Sequence, residues 1–177
     1  MSRKVVLYIA MSLDGYIAKS NDDLSFLSIV EQEGQDYGYE EFIKSVDAVI
    51  VGRKTYDKVI SMGFGFPHAD KDAYIITRTP RPSVGSVKFY TGDLKTLIEK
   101  LKSENGKNIF CDGGAEIVNE LLKQDLFDEL IISIIPILVS DGTKLFNDDR
   151  PEQKLDLVSA KSFEKGLTQL HYKRSNN

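Results

Sequence analysis

The chain of 177 residues carries 23 basic and 27 acidic side chains, and 41% of its residues are hydrophobic. This length and composition are typical of one globular domain that buries its own core, so the sequence predicts a single domain over residues 1–177. A net charge of −4 argues against wholesale binding to nucleic acid or to an anionic membrane. Any anion site must therefore be local, and the expected partner is a small molecule.

The sequence offers few groups for redox or metal chemistry. Its one cysteine, Cys111, excludes an intrachain disulfide and lies in an apolar run typical of a buried thiol. Two histidines and one cysteine do not make a usual zinc site, so we expect no metal. The first apolar run ends at Asp14 without a small-residue cleavage site, which favours a strand over a signal peptide. No stretch approaches the length of a membrane span, and the expected location is cytoplasmic.

Eight segments rich in Val, Ile, Phe and Tyr and bounded by turn residues are predicted to be strands. They cover residues 5–12, 48–51, 73–77, 87–90, 108–111, 129–139, 155–163 and 167–173. The early segments are continuously apolar, as expected of strands that are covered on both faces. Pro136 cannot donate a ladder hydrogen bond, so we expect a bulge or a sheet edge there.

Apolar residues recur with helical spacing between these strands. The three apolar stripes are Tyr39, Phe42, Ile43 and Val46; Leu94, Leu97, Ile98 and Leu101; and Ile117, Val118, Leu121 and Leu122. The stretch "RKTYDKVI" can form one more short helix. The resulting order, β-α-β-α-β-β-α-β-α-β-β-β, predicts an α/β fold with a mostly parallel sheet. A turn at residues 164–166 makes the last two strands an antiparallel hairpin.

The end of the second strand carries the cluster "GRKT", which suits an anion. Open α/β sheets bind ligands beyond the carboxyl ends of their strands. Gly52 allows a ligand close to the backbone, and Arg53 and Lys54 add positive charge. Thr55 adds a hydroxyl at a helix start, where backbone N–H groups are free. A solvated charged turn is the alternative, and the spacing of a Walker loop is absent.

Two further strand ends have similar chemistry. "DGG" places Gly113 and Gly114 between a strand and a helix, although a tight turn alone would also explain the two glycines. The spacing is not that of a Rossmann dinucleotide motif. Thr77 and Arg78 follow another strand, and Arg78 suits either a second phosphate or a surface ion pair. Three such ends together favour an elongated ligand with several phosphates.

Five motifs follow one another across nearly the whole chain: "SLDGYIA", "VDAVIVGRKTY", "IITR", "DGGAEIV" and "DELIISIIPILVSDGTKLF". In this order they resemble the dihydrofolate reductase superfamily, and within it the reductase domain of bifunctional riboflavin-biosynthesis proteins, the RibD C-terminal-like branch. The resemblance implies a dihydrofolate-reductase-like three-layer α/β fold, with a mostly parallel mixed sheet and a C-terminal antiparallel hairpin. It also implies an NADPH-dependent reductase that acts on a small heterocycle, either the pyrimidine of riboflavin biosynthesis or a pterin.

The resemblance also implies where NADPH would lie. The positions implied for its 2′-phosphate and pyrophosphate are Gly52, Arg53, Lys54 and Thr55, and those for its adenine-ribose side are Thr77 and Arg78. The positions implied for the pyrophosphate and nicotinamide side are Gly113, Gly114, Ala115, Glu116 and Ile117. The positions implied to border the nicotinamide are Ala10, Ile17 and Ala18. A cis peptide bond between Gly113 and Gly114 is expected by the same resemblance.

The family's substrate-binding acid corresponds to Asp36, which is our candidate catalytic residue. An aspartate that caps the following helix is the alternative, and the two roles are compatible. Ser133 lies near the family's hydroxyl beside that acid and is a candidate substrate contact. Where folate reductases clamp the glutamate tail with an arginine, this chain offers only Lys71, which lacks the bidentate fork.

Several functions remain open from the sequence. A true dihydrofolate reductase and a non-catalytic NADPH-binding protein are the alternatives to a riboflavin-type reductase. The apolar run over residues 130–139, together with the riboflavin-type relatives, also makes a homodimer plausible.

Overall fold

The computed structural model describes residues 2–176, which contain ten strands and four α-helices. The strands are β1 Val5–Ser12, β2 Tyr16–Ala18, β3 Val46–Gly52, β4 Asp72–Ile76, β5 Val87–Tyr90, β6 Asn108–Gly113, β7 Glu129–Ile135, β8 Thr143–Lys144, β9 Leu155–Ser162 and β10 Thr168–Arg174. The helices are α1 Tyr39–Lys44, α2 Arg53–Ser61, α3 Leu94–Ser103 and α4 Ala115–Lys123. Within the described residues, none of these helices is long and apolar enough to cross a bilayer.

Eight strands form one mixed sheet in the order β5-β4-β3-β6-β1-β7-β10-β9. Every neighbouring pair from β5 to β7 is parallel, whereas β10 runs antiparallel to both β7 and β9. The predicted α/β class, the mostly parallel sheet and the C-terminal antiparallel hairpin are therefore confirmed.

Helices cover both faces of the sheet, which gives three layers. On one face α3 and α4 bury Leu97, Leu101 and Leu121 against the strands. On the other face α1 and α2 pack over a cluster that contains Val49 and Phe110. The central strands are apolar on both sides because both sides are covered. Each large side chain buried in this way contributes about 1.5–3 kcal/mol to folding.

A second, two-stranded sheet of β2 and β8 was absent from our prediction. The two strands are antiparallel, contain three and two residues, and carry an irregular register between Tyr16 and Ala18. Segments this short show no alternation of polar and apolar residues that a sequence pattern could detect.

The strand predicted over residues 129–139 was too long, and the expected bulge or sheet edge at Pro136 was wrong. The strand β7 ends at Ile135 and lies inside the sheet, between β1 and β10. Pro136 lacks the N–H that an internal strand must donate on one side, so pairing stops at the residue before it.

Candidate active site

The carboxyl ends of five adjacent strands form the edge of the sheet where the predicted site residues meet. Gly52 of β3 is paired with Ile76 of β4, one residue before Thr77. On the other side of β3, Val51 is paired with Gly113 of β6. Further along the edge, Ala10 of β1 is paired with Ser133 of β7. The three strand ends singled out in the sequence therefore lie side by side.

The two glycine-containing turns touch each other. A Cβ atom added at Gly52 would lie 3.3 Å from Cγ1 of Ile117 and 3.4 Å from the backbone nitrogen of Gly114. A Cβ atom added at Gly114 would lie 3.1 Å from Oγ1 of Thr55. The absence of side chains at these positions lets the β3–α2 and β6–α4 junctions approach, and they form one continuous surface.

Two helices begin at this surface without a capping side chain. The N-cap residue of α2 is Gly52 and that of α4 is Gly114. In neither helix does an N-cap side chain accept a hydrogen bond from a first-turn N–H group. The first-turn N–H groups of both helices can therefore serve an anionic ligand. The peptide bond between Gly113 and Gly114 is cis, as expected from the family resemblance.

Arg53 shares a carboxylate with an arginine that the sequence analysis missed. Its Nη1 lies 2.9 Å from Oδ2 of Asp57, and Nη1 of Arg81 lies 2.9 Å from Oδ1 of the same residue. The Arg81 guanidinium also lies 5.4 Å from the ring centroid of Phe89. Hydrogen bonds from Arg81, and then from Arg53, hold the pKa of Asp57 below its usual value. The cluster carries two positive charges and one negative charge.

The other two cations predicted for the cofactor are exposed. Lys54 lies 3.9 Å from Glu116, and both side chains are largely in solvent. Arg78 is also exposed, whereas Thr77 beside it is buried. The Thr77 hydroxyl bonds the backbone N–H and carbonyl of Thr79, each at 3.2 Å, and so shapes the turn that presents Arg78. Contacts of these residues with a cofactor remain predictions.

The loops beyond β1 and β7 are tied together by one carboxylate. Asp14 accepts hydrogen bonds from the Ser12 hydroxyl at 2.6 Å and from the backbone N–H groups of Val139 and Ser140 at 3.0 and 2.8 Å. These bonds, with that from Ser12 the largest cause, lower the pKa of Asp14 to about 2. The tie fixes the loop that leads to β2, where Ile17 and Ala18 pack against the protein interior.

A cavity of about 720 Å³ opens beside Ala10 and Ser133. Ala10, Ser133 and Ile135 come from β1 and β7, Tyr37 from the segment that leads into α1, and Tyr39 from the first residue of that helix. The remaining lining residues are Tyr8, Leu27, Val30, Glu31, Gln32, Glu33, Gln35, Asp36 and Leu167. Its size fits a small ring system. Ile17 and Ala18 do not line it.

Asp36 lies at this cavity, but its carboxylate is engaged with backbone. It accepts hydrogen bonds from the N–H groups of Gly38 at 3.0 Å and Glu40 at 2.8 Å. The N-cap residue of α1 is Gly38, so Asp36 is not itself the N-cap. Through Glu40, however, it satisfies a free N–H group in the first turn of the helix. The bonds from Glu40 and then Gly38 lower the pKa of Asp36, which is exposed. A catalytic role for Asp36 stays a prediction, and as a proton donor it is disfavoured in the free protein.

Ser133 bonds a residue that the sequence analysis did not identify. Nε2 of Gln169 donates to Oγ of Ser133 at 3.2 Å, to the Tyr8 hydroxyl at 3.2 Å and to the Tyr37 carbonyl at 3.1 Å. Tyr8 in turn donates to the Tyr37 carbonyl at 2.8 Å. Within residues 2–176, no hydrogen bond joins Ser133 to Asp36. Gln169 therefore fixes the orientation of two polar groups in the cavity wall.

Asp112, which the sequence analysis did not identify as a site residue, immediately precedes the cis peptide bond. Its Oδ2 lies 3.2 Å from Nε2 of His68, which is buried and packs edge-on against Phe110. Burial, followed by the charge of Asp112, raises the pKa of the cavity residue Tyr39 to about 12. Asp112 thus acts electrostatically on the cavity wall. Its position between a buried strand and the two glycines was the available sequence signal.

Comparison with known families decides the assignment. The model of the RibD C-terminal domain family matches residues 3–169, which is nearly the whole chain.

The chain belongs to the RibD C-terminal domain family.

A relative of this RibD C-terminal domain protein, the uncharacterized protein YwjB of Bacillus subtilis (strain 168), is 43% identical to it. That alignment covers 99% of this chain and 100% of YwjB. A Shewanella sp. PV-4 protein, provisionally named as a riboflavin biosynthesis protein, is 28% identical in sequence and superimposes with a TM-score of 0.88. The superposition covers 98% of this chain and 99% of the Shewanella protein.

The fold of this RibD C-terminal domain is also that of dihydrofolate reductase. The enzyme from Enterococcus faecalis, solved in complex with NADP(H), superimposes with a TM-score of 0.68 at 15% identity. The superposition covers 99% of this chain and 100% of the enzyme. At this identity the likeness establishes the shared fold alone.

Proposed function

We propose that this chain is an NADPH-dependent reductase that transfers hydride to a C=N or C=O bond of a small heterocyclic substrate. The observation that carries the proposal is the contact between the two glycine turns at Gly52 and Gly114, with cations on one side and the cavity on the other. The strand order β3-β6-β1-β7 places the Arg53 cluster, the two glycine turns and Ala10 in succession along one edge of the sheet. This order suits a dinucleotide whose reactive ring lies at the cavity.

The residues present fit such a cofactor. A Cβ atom at Gly52 or Gly114 would meet the facing turn at 3.1–3.4 Å, so both turns keep their backbone free of a side chain. The starts of α2 and α4 offer N–H groups to a pyrophosphate. Arg53, Lys54 and Arg78 supply positive charge where a 2′-phosphate would lie, and Arg81 lies in the same cluster. When bound, NADPH supplies the hydride.

The chain's own part is binding, orientation and exclusion of water. Ala10 has no side chain beyond Cβ and leaves room for a flat ring at the end of β1. The Lys58 ammonium donates to the backbone carbonyl of Asp22, which fastens the loop after β2 to α2. Ser133 and Tyr8, held by Gln169, present polar groups to a substrate in the cavity. These contacts supply geometry rather than bond chemistry.

A non-catalytic NADPH-binding protein is the second candidate function. The observation that favours it is Asp36, whose lowered pKa leaves the cavity without an evident proton donor at that position. A true dihydrofolate reductase receives less support, because Lys71 is engaged with Asp70 at 3.2 Å and lacks the arginine fork.

The deciding experiment is a calorimetric titration with NADPH and NADH, followed by an assay of NADPH oxidation with pyrimidine, pterin and carbonyl substrates. We expect NADPH to bind about 100-fold more tightly than NADH, as two charge-assisted contacts with the 2′-phosphate predict. Oxidation of NADPH by a heterocycle supports the reductase. Tight binding with no oxidation by any substrate supports the second candidate, and absence of NADPH binding contradicts both.

The Asp57→Asn variant is expected to increase NADPH affinity about threefold to tenfold while NADH affinity stays constant. The change removes one negative charge beside Arg53 and Arg81, and the amide oxygen can still accept a hydrogen bond. Parallel titrations with the two cofactors measure the effect. The matched control is Asp149→Asn, which removes a surface partner of Lys123. A loss of NADPH affinity in Asp57→Asn alone would mean that the carboxylate is needed to position the arginines.

A further inference from the structure

The ionisable residues that line the 720 Å³ cavity, apart from its tyrosines, are all acidic. Glu31, Glu33 and Asp36 form part of its wall, and no lysine or arginine is among the described lining residues. Charges outside the wall act in both directions: after burial, those of Asp112 and Asp70 raise the pKa of Tyr39. That of Lys44, after the backbone N–H bonds, helps to lower the pKa of Asp36. The cavity therefore faces several negative charges, and none of its described lining residues is positively charged.

Three lysines, Lys44, Lys71 and Lys165, are each engaged by another group. The ammonium of Lys44 lies 3.0 Å from Glu40, and that of Lys71 lies 3.2 Å from Asp70. Lys165 donates to the backbone carbonyl of Glu31. Lys44 and Lys71 are therefore paired with carboxylates that do not line the cavity. Lys165 is held at the wall residue Glu31, so one positive charge stands against the three carboxylates of the wall.

The cavity differs in charge from the end of the site where the phosphates of the cofactor are expected. Where a phosphate is expected, the chain places Arg53, Lys54, Arg78 and Arg81, with Asp57 as the acid shared by two of them. The same chain uses carboxylates at the cavity. Because unit charges still interact across several ångströms of solvent, this arrangement disfavours an anion in the cavity.

We infer that the cavity accepts a heteroaromatic ring that is uncharged or positively charged and that carries neither a phosphate nor a carboxylate arm. This inference rests on the proposed function, which it narrows. The ring packs against Tyr37 and Tyr39 and meets the polar groups of Ser133 and Tyr8. A phosphoribosylated pyrimidine or a folate with its glutamate would bring an anion to Glu31, Glu33 and Asp36.

Three pterins that share one ring test the inference directly: 6-methylpterin, 6-aminomethylpterin and pterin-6-carboxylate. Their binding to the NADPH-saturated protein is measured by calorimetry at low and high salt. We expect the aminomethyl compound to bind at least as tightly as the methyl compound, and the carboxylate about tenfold more weakly. The gap should shrink at high salt, because surface charges are then screened.

The variant Glu33→Gln tests whether the cavity wall causes the discrimination. We expect it to reduce the tenfold gap to about threefold, since one of the charges that face the ligand is removed. The matched control is Glu99→Gln on the exposed side of α3, which should leave the gap unchanged. An equal reduction in both variants would trace the effect to net charge and overturn the inference.

The remaining outcomes of these titrations also test the inference and the proposed function. Equal or tighter binding of pterin-6-carboxylate, or no binding of any of the three compounds, overturns the inference and leaves the proposed cofactor untouched. Failure of NADPH itself to bind overturns the proposed function, while the order of the three pterins, measured on the free protein, still tests the cavity.

Discussion

Replacement of both Arg53 and Arg78 by glutamine is expected to weaken NADPH binding about 100-fold and to leave NADH binding within about twofold of the parent protein. Each guanidinium would lose one charge-assisted hydrogen bond to the 2′-phosphate, and each such bond at an exposed site is worth about 1.4 kcal/mol, or tenfold. NADH lacks that phosphate and so loses nothing. Calorimetric titration of both cofactors measures the difference.

The control for this double variant is Arg174→Gln, another arginine that forms an ion pair, in this case with Asp125 at 3.2 Å. It lies near the amino end of β7, at the edge of the sheet opposite the site. It should leave both affinities unchanged. Equal losses of NADPH and NADH in the double variant would instead assign the two arginines to the shared pyrophosphate.

The Gly142→Ala variant is expected to lower the free energy of unfolding by about 3 kcal/mol or more, or to detach the β2–β8 pair. Gly142 has φ +134°, and an added Cβ atom would lie 2.1 Å from the carbonyl oxygen of Ala18. Two further backbone atoms of Lys19 lie 2.8 Å away, so no side-chain rotation relieves the contact. Urea unfolding followed by far-UV circular dichroism gives the loss in stability.

Gly34→Ala provides the matched comparison for that variant. Gly34 also has a positive φ, +76°, but a Cβ atom there would meet nothing within 4 Å. The Gly34→Ala variant is expected to lower the free energy of unfolding by about 1–2 kcal/mol, which is the cost of holding alanine at a positive φ. If the two variants lose the same stability, the backbone around Gly142 moves enough to relieve the contact with Ala18 and Lys19 at no further cost in stability. A weaker affinity for NADPH in Gly142→Ala alone would place β2 at the cofactor.

The strands of the large sheet could be predicted because each is recognisable from its own short stretch of sequence. The runs at residues 5–12 and 87–90 match β1 and β5 residue for residue, since buried parallel strands are continuous apolar segments bounded by turn residues. The pair of β2 and β8 could not be predicted, because five residues in two pieces carry no period. At Pro136 the chemistry of the residue was correctly recognised, but its consequence was a strand end and not a bulge.

The parts of the site that follow a strand directly were also predictable. Gly52 and Gly113–Gly114 stand at strand-to-helix turns, and their proximity follows from the adjacency of β3 and β6. Arg81 and Gln169 were missed for a different reason. Gln169 meets Tyr8 across 161 positions of sequence, and such a contact depends on strand order and register together. The pKa shift of Asp36 depends on how one loop closes, which residue type alone does not determine.

The single thiol of the chain offers a direct measure of how often the sheet opens. Cys111 is fully buried in β6, between Leu7 of β1 and Ile50 of β3, and burial raises the pKa of its thiol to about 12. The folded protein should therefore be inert to aromatic disulfide reagents at neutral pH, because the thiolate is the reactive form. Any slow labelling then reports separation of the central strands, and its rate in the presence and absence of NADPH gives the kinetic protection that a bound ligand confers. Labelling as fast as that of the urea-unfolded chain would mean that the centre of the sheet opens freely.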